Sequence, residues 1–157
     1  MKKWFPILQP TLTVIFIIVA CFVYGLSLAP SILFFNYVNA LSIGSDYLFL
    51  NALFIGVSLS MCFFIFGISL ILIVGIIIRI LPIKAKPGVY PLASINAIKW
   101  GFCGAFLRLV NLTFLDFITP TFLNIMYFRL IGAKIGKNVQ LNTININDPW
   151  LLEIGDG

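Results

Sequence analysis

The sequence predicts an α-helical membrane protein, with a membrane-embedded helical hairpin first and the beginning of a parallel β-helix last. Its 157 residues are 61% hydrophobic and only 10% charged, with a mean hydropathy of +1.11. Soluble domains are roughly 45–50% apolar and about 25% charged. The charges are also unevenly placed, because Asp46 is the only charged residue between Lys3 and Arg79. Near the C-terminus, apolar residues recur at a spacing of six.

The first predicted region, residues 1–81, contains two apolar stretches that form a transmembrane hairpin. They cover residues 11–29 and 47–78, and about 20 apolar residues in a helix cross a bilayer core of about 30 Å. We expect the first helix to kink at Pro30 and to continue to about Leu41, with the turn at residues 42–46. Small residues that would let the two helices approach closely are Gly56, Ser58, Ser60, Gly67 and Ser69.

The basic residues near the hairpin predict its orientation. Cytoplasmic flanks carry an excess of Lys and Arg, and the turn at Asp46 has none. We therefore expect a multi-pass protein of the inner (cytoplasmic) membrane with both termini cytoplasmic, next to anionic lipid headgroups. These charges are too dispersed for a nucleic-acid partner. The basic residues concerned are Lys2, Lys3, Arg79, Lys84, Lys86 and Lys99.

A bacterial lipoprotein signal, cleaved before Cys21, is the alternative interpretation of the N-terminus. The apolar run continues through Cys21 into residues 22–24, where a mature lipoprotein normally turns polar, and this favours a membrane span. Cys62 and Cys103 also lie in apolar stretches, without a CxxC pair or any histidine in the sequence. The three cysteines are therefore predicted to be small hydrophobic residues and not metal ligands.

The second predicted region, residues 82–127, is a cytoplasmic loop followed by an amphipathic helix. Residues 81–91 are rich in proline and lysine, and residues 93–119 are apolar with a thin polar stripe that includes Asn111. A helix of this kind is expected to lie at the membrane interface or to pack against the hairpin, and to end before Pro120. Arg108 and Asp116 on the stripe would form an ion pair, a substrate contact or, as we expect, a solvated edge.

The third predicted region, residues 128–157, begins a β-helix. Ile135 and Leu141 are six residues apart, and an Ile-Gly-Asp sequence returns at Ile154 after a slightly longer interval. Six-residue spacing is typical of parallel β-helices, in which each coil points one apolar residue per side into the core. The glycine next to Ile135 and the one next to Ile154 suit the sharp corners of such a coil.

Residues 129–139 and 151–156 resemble the start of the left-handed β-helix of hexapeptide-repeat acyltransferases. The resemblance is greatest to the membrane-anchored type at the C-terminus of poly-lysine synthetase-like proteins, which are related to nonribosomal peptide synthetases. It implies transfer of an acyl or aminoacyl group from a carrier-bound thioester to an amine or hydroxyl. It also implies a histidine in later coils as general base, and a homotrimer.

The sequence departs from this family in having no histidine and in ending within a repeat. We therefore expect a membrane anchor and opening segment of a longer transferase, inactive by itself, with no catalytic, cofactor-binding or metal-binding residues of its own. Glu153 and Asp156 are interpreted as corner residues. The alternative is a small helical membrane protein with a scaffold or accessory role. The shortage of charged residues within the spans argues against transport.

Overall fold

The computed structural model describes residues 5–41, 47–92 and 94–157. Lys2, Lys3 and the predicted turn with Asp46 lie outside the described residues. Two long helices come first, α1 (Phe5–Leu41) and α2 (Leu48–Ile80). The helices that follow are α3 (Ile95–Val110), a π-helical turn (Asn111–Leu115), α4 (Asp116–Ile118) and α5 (Phe122–Ile131). The remaining elements are β1 (Lys134–Ile135), a 3₁₀ turn (Pro149–Leu151) and β2 (Glu153–Ile154).

The second helix and the end of the first lie close to where the sequence predicts them, whereas α1 begins at Phe5, before the predicted start at residue 11. α1 continues through Pro10 and Pro30 as far as Leu41, although each proline removes one backbone hydrogen bond. Within the described residues, three helical segments are long and apolar enough to cross a membrane, namely Leu8–Ala40, Leu48–Ile80 and Ile95–Ile118.

A reciprocal pair of hydrogen bonds joins α1 to α2. The Ser31 hydroxyl donates to the Cys62 carbonyl at 2.9 Å, and the Cys62 thiol donates to the Ser31 carbonyl at 3.4 Å. Ser31 is buried, so the pair satisfies polar groups inside an apolar contact, where an unpaired group is costly. The pair fixes the register of the antiparallel helices.

The helices from α3 to α5 form a second hairpin (Ile95–Ile131) beside α2. In the first half of this hairpin, the ring of Phe117 packs against that of Phe63, with centroids 4.9 Å apart. In the second half, Leu130 of α5 packs over Gly75. The residue after α5, Gly132, lies beside Arg79 and Lys84. The second hairpin therefore starts and finishes at the Ile80 end of α2.

This arrangement favours packing against the first hairpin over a helix lying flat at the membrane surface. The helical segment Ile95–Ile118 runs along α2, and it ends before Pro120 as predicted, with Thr119 extended. Arg108 and Asp116 are both exposed and form no ion pair with each other, and the solvated edge stays a prediction. Asn111 departs from the predicted stripe, because its side chain faces the C-terminal residues.

Of the predicted small residues of α2, Gly67 contacts a different neighbour from the one expected. A Cβ added at Gly67 would overlap the ring of Phe114 from the second hairpin, whereas one added at Gly56 would meet nothing within 4 Å. Ser58 is buried and bonds the Phe54 carbonyl of its own helix. Close approach at Gly67 therefore seats the second hairpin on α2, and the contact between α1 and α2 depends on Ser31 instead.

Two short parallel strands lie after the second hairpin. Lys134 pairs with Glu153 and Ile135 with Ile154, a separation of 19 residues along the chain. Ile135 and Leu141, the residues of the predicted repeat, are buried in the same core as α2 and α3. In the described part of the chain these are the only strands, so the β-helix itself is not established. α5 also continues past residue 128, and extended chain begins only after Gly132.

We expect the loop after α2 and the residues after α5 to lie on one side of the membrane. Val89 and Gln140 are exposed, so cysteine at either position, in a chain without native cysteines, reports its location. An impermeant maleimide should label neither in intact cells and both after permeabilisation, and it should label a cysteine at Ser45 in both conditions. Opposite behaviour of Val89→Cys and Gln140→Cys would mean that residues 95–131 cross the membrane from one side to the other, which contradicts their arrangement as a hairpin.

Candidate functional site at the seat of the C-terminal segment

The C-terminal segment (residues 132–157) is held by side chains of the second hairpin. The Asn111 amide donates to the Ile144 carbonyl at 3.0 Å, and the Asn124 amide donates to the Leu141 carbonyl at 3.2 Å. Asn124 is fully buried. Extended chain in an apolar setting needs partners for its carbonyl groups, and the two amides supply them. We call this contact region the seat.

The π-helical turn at residues 111–115 gives Asn111 its position. Hydrogen bonds of the i→i+5 type add one residue to a turn and interrupt the 3.6-residue periodicity. The side chain of Asn111 is thereby only half exposed and reaches the C-terminal segment. Phe114 and Leu115 in the same turn are fully buried. The turn therefore contributes to both the core and the seat.

Arg129 caps the outer edge of strand β1. Its guanidinium donates to the Ile135 carbonyl from Nε at 3.1 Å and from a terminal nitrogen at 2.8 Å, and to the Gly136 carbonyl at 2.5 Å. On the opposite edge, the Lys134 and Gly136 N–H groups donate to carbonyls of residues 152 and 154. The guanidinium thus takes the place of a neighbouring strand.

Two tryptophans attach the C-terminal segment to the loop and to α3. The Trp150 indole donates to the Ala85 carbonyl at 3.1 Å, and the Trp100 indole donates to the Asp148 carboxylate at 3.0 Å. An indole N–H has a single proton to donate, and each is used in one contact across the seat. These bonds fix the loop of residues 81–92 relative to the strands.

The two carboxylates expected at corners have structural partners. Glu153 forms an ion pair with Lys134 at 3.3 Å, with both side chains about three-quarters exposed. The Asp156 carboxylate accepts a hydrogen bond from the Lys137 N–H at 2.6 Å. A Cβ at Gly136 would lie 2.5 Å from the Gly155 backbone, so this close crossing requires glycine. Asp156, which follows β2, agrees with the interpretation as a corner residue, whereas Glu153 lies within β2 and pairs with Lys134 across the strands, so that interpretation is wrong for Glu153.

Among the described residues, neither outer edge has a strand beside it, but the edge of β1 is capped by Arg129, whereas the edge of β2 has no such cap. An unpaired edge is a template for another strand. No group of three or more Cys, Asp and Glu side chains converges anywhere in the described ranges. The seat holds the strand pair against the helices, and it leaves the outer edge of β2 available for pairing with a further strand.

The comparisons with known proteins gave one informative match. The chain resembles a synthetase. It is 26% identical over 130 residues to the Delta-poly-L-ornithine synthetase of Acinetobacter baumannii (strain AB307-0294). The match covers 83% of this chain but 9% of that protein. No protein-family model and no solved structure matches the chain.

This likeness is distant, and it concerns a small part of the synthetase. It supports the broader statement made from the sequence, namely a relationship to a protein that polymerises an amino acid. The hexapeptide-repeat family is not established by it. Most of the matched synthetase lies beyond the part that this chain resembles.

Sequence reasoning missed the residues that build the seat. Arg129, three residues before a glycine, carries the signal of a helix C-terminus, which predicts where α5 ends but not what the guanidinium binds. Asn111 and Asn124 sit in apolar helices, and a lone amide there is a sign of a buried hydrogen bond. That sign does not reveal the partner, since both partners are backbone carbonyls.

Proposed function

We propose that this chain is the membrane anchor and opening segment of a hexapeptide-repeat acyl or aminoacyl transferase. The observation that carries the proposal is the asymmetry of the strand pair. Arg129 closes the outer edge of β1, whereas the outer edge of β2 is open to a further strand. A repeat fold needs this arrangement at its first coil, because terminal repeats must be capped on their outer side and stacked on their inner side.

The register of the strands supports the same proposal. A triangular coil of three six-residue sides brings the chain back over itself after about 18 residues, and the observed pairing separates residues by 19. The extra residue is accommodated by the 3₁₀ turn Pro149–Leu151. Burial of Ile135 and Leu141, six residues apart, is what two successive sides of a coil require.

In the proposed enzyme this chain contributes position and not chemistry. Acyl transfer from a thioester needs a base to remove a proton from the acceptor amine or hydroxyl, and the sequence has no histidine. The base and the contacts to a carrier-bound donor would belong to further coils. The seat would hold those coils at the cytoplasmic face of the inner membrane, and a trimer would bring three such coils together.

A chimera with the matched synthetase tests the proposal. Residues of the poly-ornithine synthetase that align with this chain are replaced by this chain, and polymer formation is measured in membranes. The chimera should produce polymer. Ile135→Asp, which places a charge in the seat core, should abolish production, whereas Gln140→Asp, an exposed position in the same segment, should not.

Two results would contradict the proposal. One is a chimera that inserts in the membrane at normal levels but makes no polymer. The other is equal polymer production by the Ile135→Asp and Gln140→Asp chimeras, which would separate the seat from catalysis. Either result would leave the scaffold or accessory role as the better interpretation.

A further inference from the structure

Two cationic side chains converge at the end of the second hairpin, above Gly132. A Cβ placed at Gly132 would lie 3.2 Å from the Lys84 Nζ and 3.6 Å from an Arg79 guanidinium nitrogen. The two positive groups therefore approach the same small volume. The Trp150 Cβ lies 3.5 Å from the same position. Gly132 has a φ of +125°, a backbone conformation that side chains disfavour, so residue 132 itself places no side-chain atoms between the two cations.

Among the residues that the structure describes, no carboxylate forms an ion pair with either cation. In the described ranges, neither Arg79 nor Lys84 forms an ion pair, and the one ion pair there joins Lys134 to Glu153. Burial and, secondly, the charge of Arg79 lower the pKa of Lys84 from its ordinary value. A lowered pKa means that the charged form of Lys84 is disfavoured where it stands. A negative group between the two cations would relieve this repulsion.

Helix dipoles supply only part of the missing negative charge. α2 and α5 both end here, and the C-terminus of a helix carries roughly half a negative charge. The C-termini of α2 and α5 together offset about one of the two positive charges of Arg79 and Lys84. In the last turn of α5, the carbonyls of Phe128 and Arg129 are in addition occupied by the N–H groups of Gly132 and Ala133. About one positive charge therefore remains without a counterpart.

The surrounding contacts hold the cations in place. Lys84 precedes Ala85, whose carbonyl is bound by the Trp150 indole at 3.1 Å, and Arg79 belongs to the last turn of α2. The side chain of Ile80, the next residue, is 73% exposed. Arg and Lys side chains near the ends of membrane helices reach towards the interface, so we expect Arg79 at the level of the lipid phosphates.

We propose that Arg79 and Lys84 bind a phosphate group above Gly132. A planar guanidinium makes two parallel hydrogen bonds to phosphate oxygens, and an ammonium adds a compact charge. The phosphate belongs either to the headgroup of an anionic lipid or to a soluble phosphate compound, since both present the same oxygens. The site is independent of the transferase role proposed above.

The test measures ligand-dependent thermal stabilisation of the purified full chain in neutral detergent. A ligand that binds only the folded chain raises its unfolding temperature, and the rise increases with the logarithm of the ratio of ligand concentration to Kd. The probes are inorganic phosphate, a short-chain phosphatidylglycerol, and a diacylglycerol with the same acyl chains. Stabilisation by phosphatidylglycerol alone assigns the site to a lipid headgroup, and stabilisation by inorganic phosphate assigns it to soluble phosphate.

The variants distinguish a site from general attraction of basic residues. Arg79→Gln and Lys84→Gln should each weaken binding about tenfold or more, as expected for loss of a charge-assisted hydrogen bond. Lys86→Gln makes the same change two residues further on, at an exposed position, and should weaken binding less than about twofold. Trp150→Phe keeps all charges but releases Ala85, and it should also weaken binding.

Three outcomes would overturn the proposal. The first is the absence of stabilisation by either phosphate-containing probe. The second is equal stabilisation by the diacylglycerol. The third is an equal loss for Lys86→Gln and Lys84→Gln, because nonspecific attraction contributes a similar amount for each basic residue, about fivefold in affinity. The unfolding temperatures of the ligand-free variants serve as the control for folding.

Discussion

Replacing Gly67 with leucine is expected to displace the second hairpin from α2 and to lower the free energy of unfolding by about 1–3 kcal/mol. Any Cβ at this position overlaps the ring of Phe114. That ring cannot easily move aside, because the rings of Phe63 and Phe64 pack against it with centroids at 5.6 and 6.0 Å. Chemical unfolding in neutral detergent, followed by circular dichroism, measures the change.

Gly56→Leu is the matched control for this experiment. It makes the same substitution in the same helix, at a position where an added Cβ meets nothing within 4 Å. Its free energy of unfolding should change by less than about 0.5 kcal/mol, as for most exposed substitutions. Combining Gly67→Leu with Phe114→Ala should recover part of the loss, since the added side chain then has space. Equal unfolding of the two leucine variants would refute the proposed contact.

Replacing Arg129 with leucine should release the C-terminal segment from the seat. The carbonyls of Ile135 and Gly136 lose their three hydrogen bonds to the guanidinium. A hydrogen bond to a charged group contributes about 1.5–3 kcal/mol, and the lower end applies because Arg129 is exposed. Limited proteolysis should then cut within residues 132–157 many times faster, and the Gly136 amide should exchange faster with solvent.

Lys134→Gln provides the comparison for Arg129. It removes a positive charge from the same strand, but its ion pair with Glu153 is exposed on both sides and contributes only about 0–1 kcal/mol. Its proteolysis rate should stay near that of the native chain. If the two variants are cut at the same rate, the cap has no special role in holding β1.

The parts of the fold that the sequence predicts are those with a periodic or compositional signal. The absence of charge between Lys3 and Arg79, apart from Asp46, marks the first two helices, and the prolines of residues 81–91 mark the loop between hairpins. Pro120 marks the end of the segment that α3 begins. Each signal is local, so it can be read without knowing what the element packs against.

The seat depends on contacts that leave no local signal. Asn111 and Ile144 are 33 residues apart, and Trp150 and Ala85 are 65 apart. The acceptors are backbone carbonyls, which every residue has, so sequence cannot single them out. The π-helical turn also leaves no signal in an analysis that assumes one helical period. A stripe calculated with one period across residues 93–119 misplaces Asn111 because the period changes within it.

The capped strand has a consequence for the order in which the chain folds. Bringing β2 beside β1 closes a loop of about 19 residues, at an entropic cost of about 2.5 kcal/mol beyond a constant term, for only two residue pairs. An isolated coil of this size would therefore be a poor nucleus. Once α5 has formed, however, Arg129 fixes β1 in its extended shape before its partner arrives. The helices thus act as a template, and we expect β pairing to begin at the membrane and to proceed away from it.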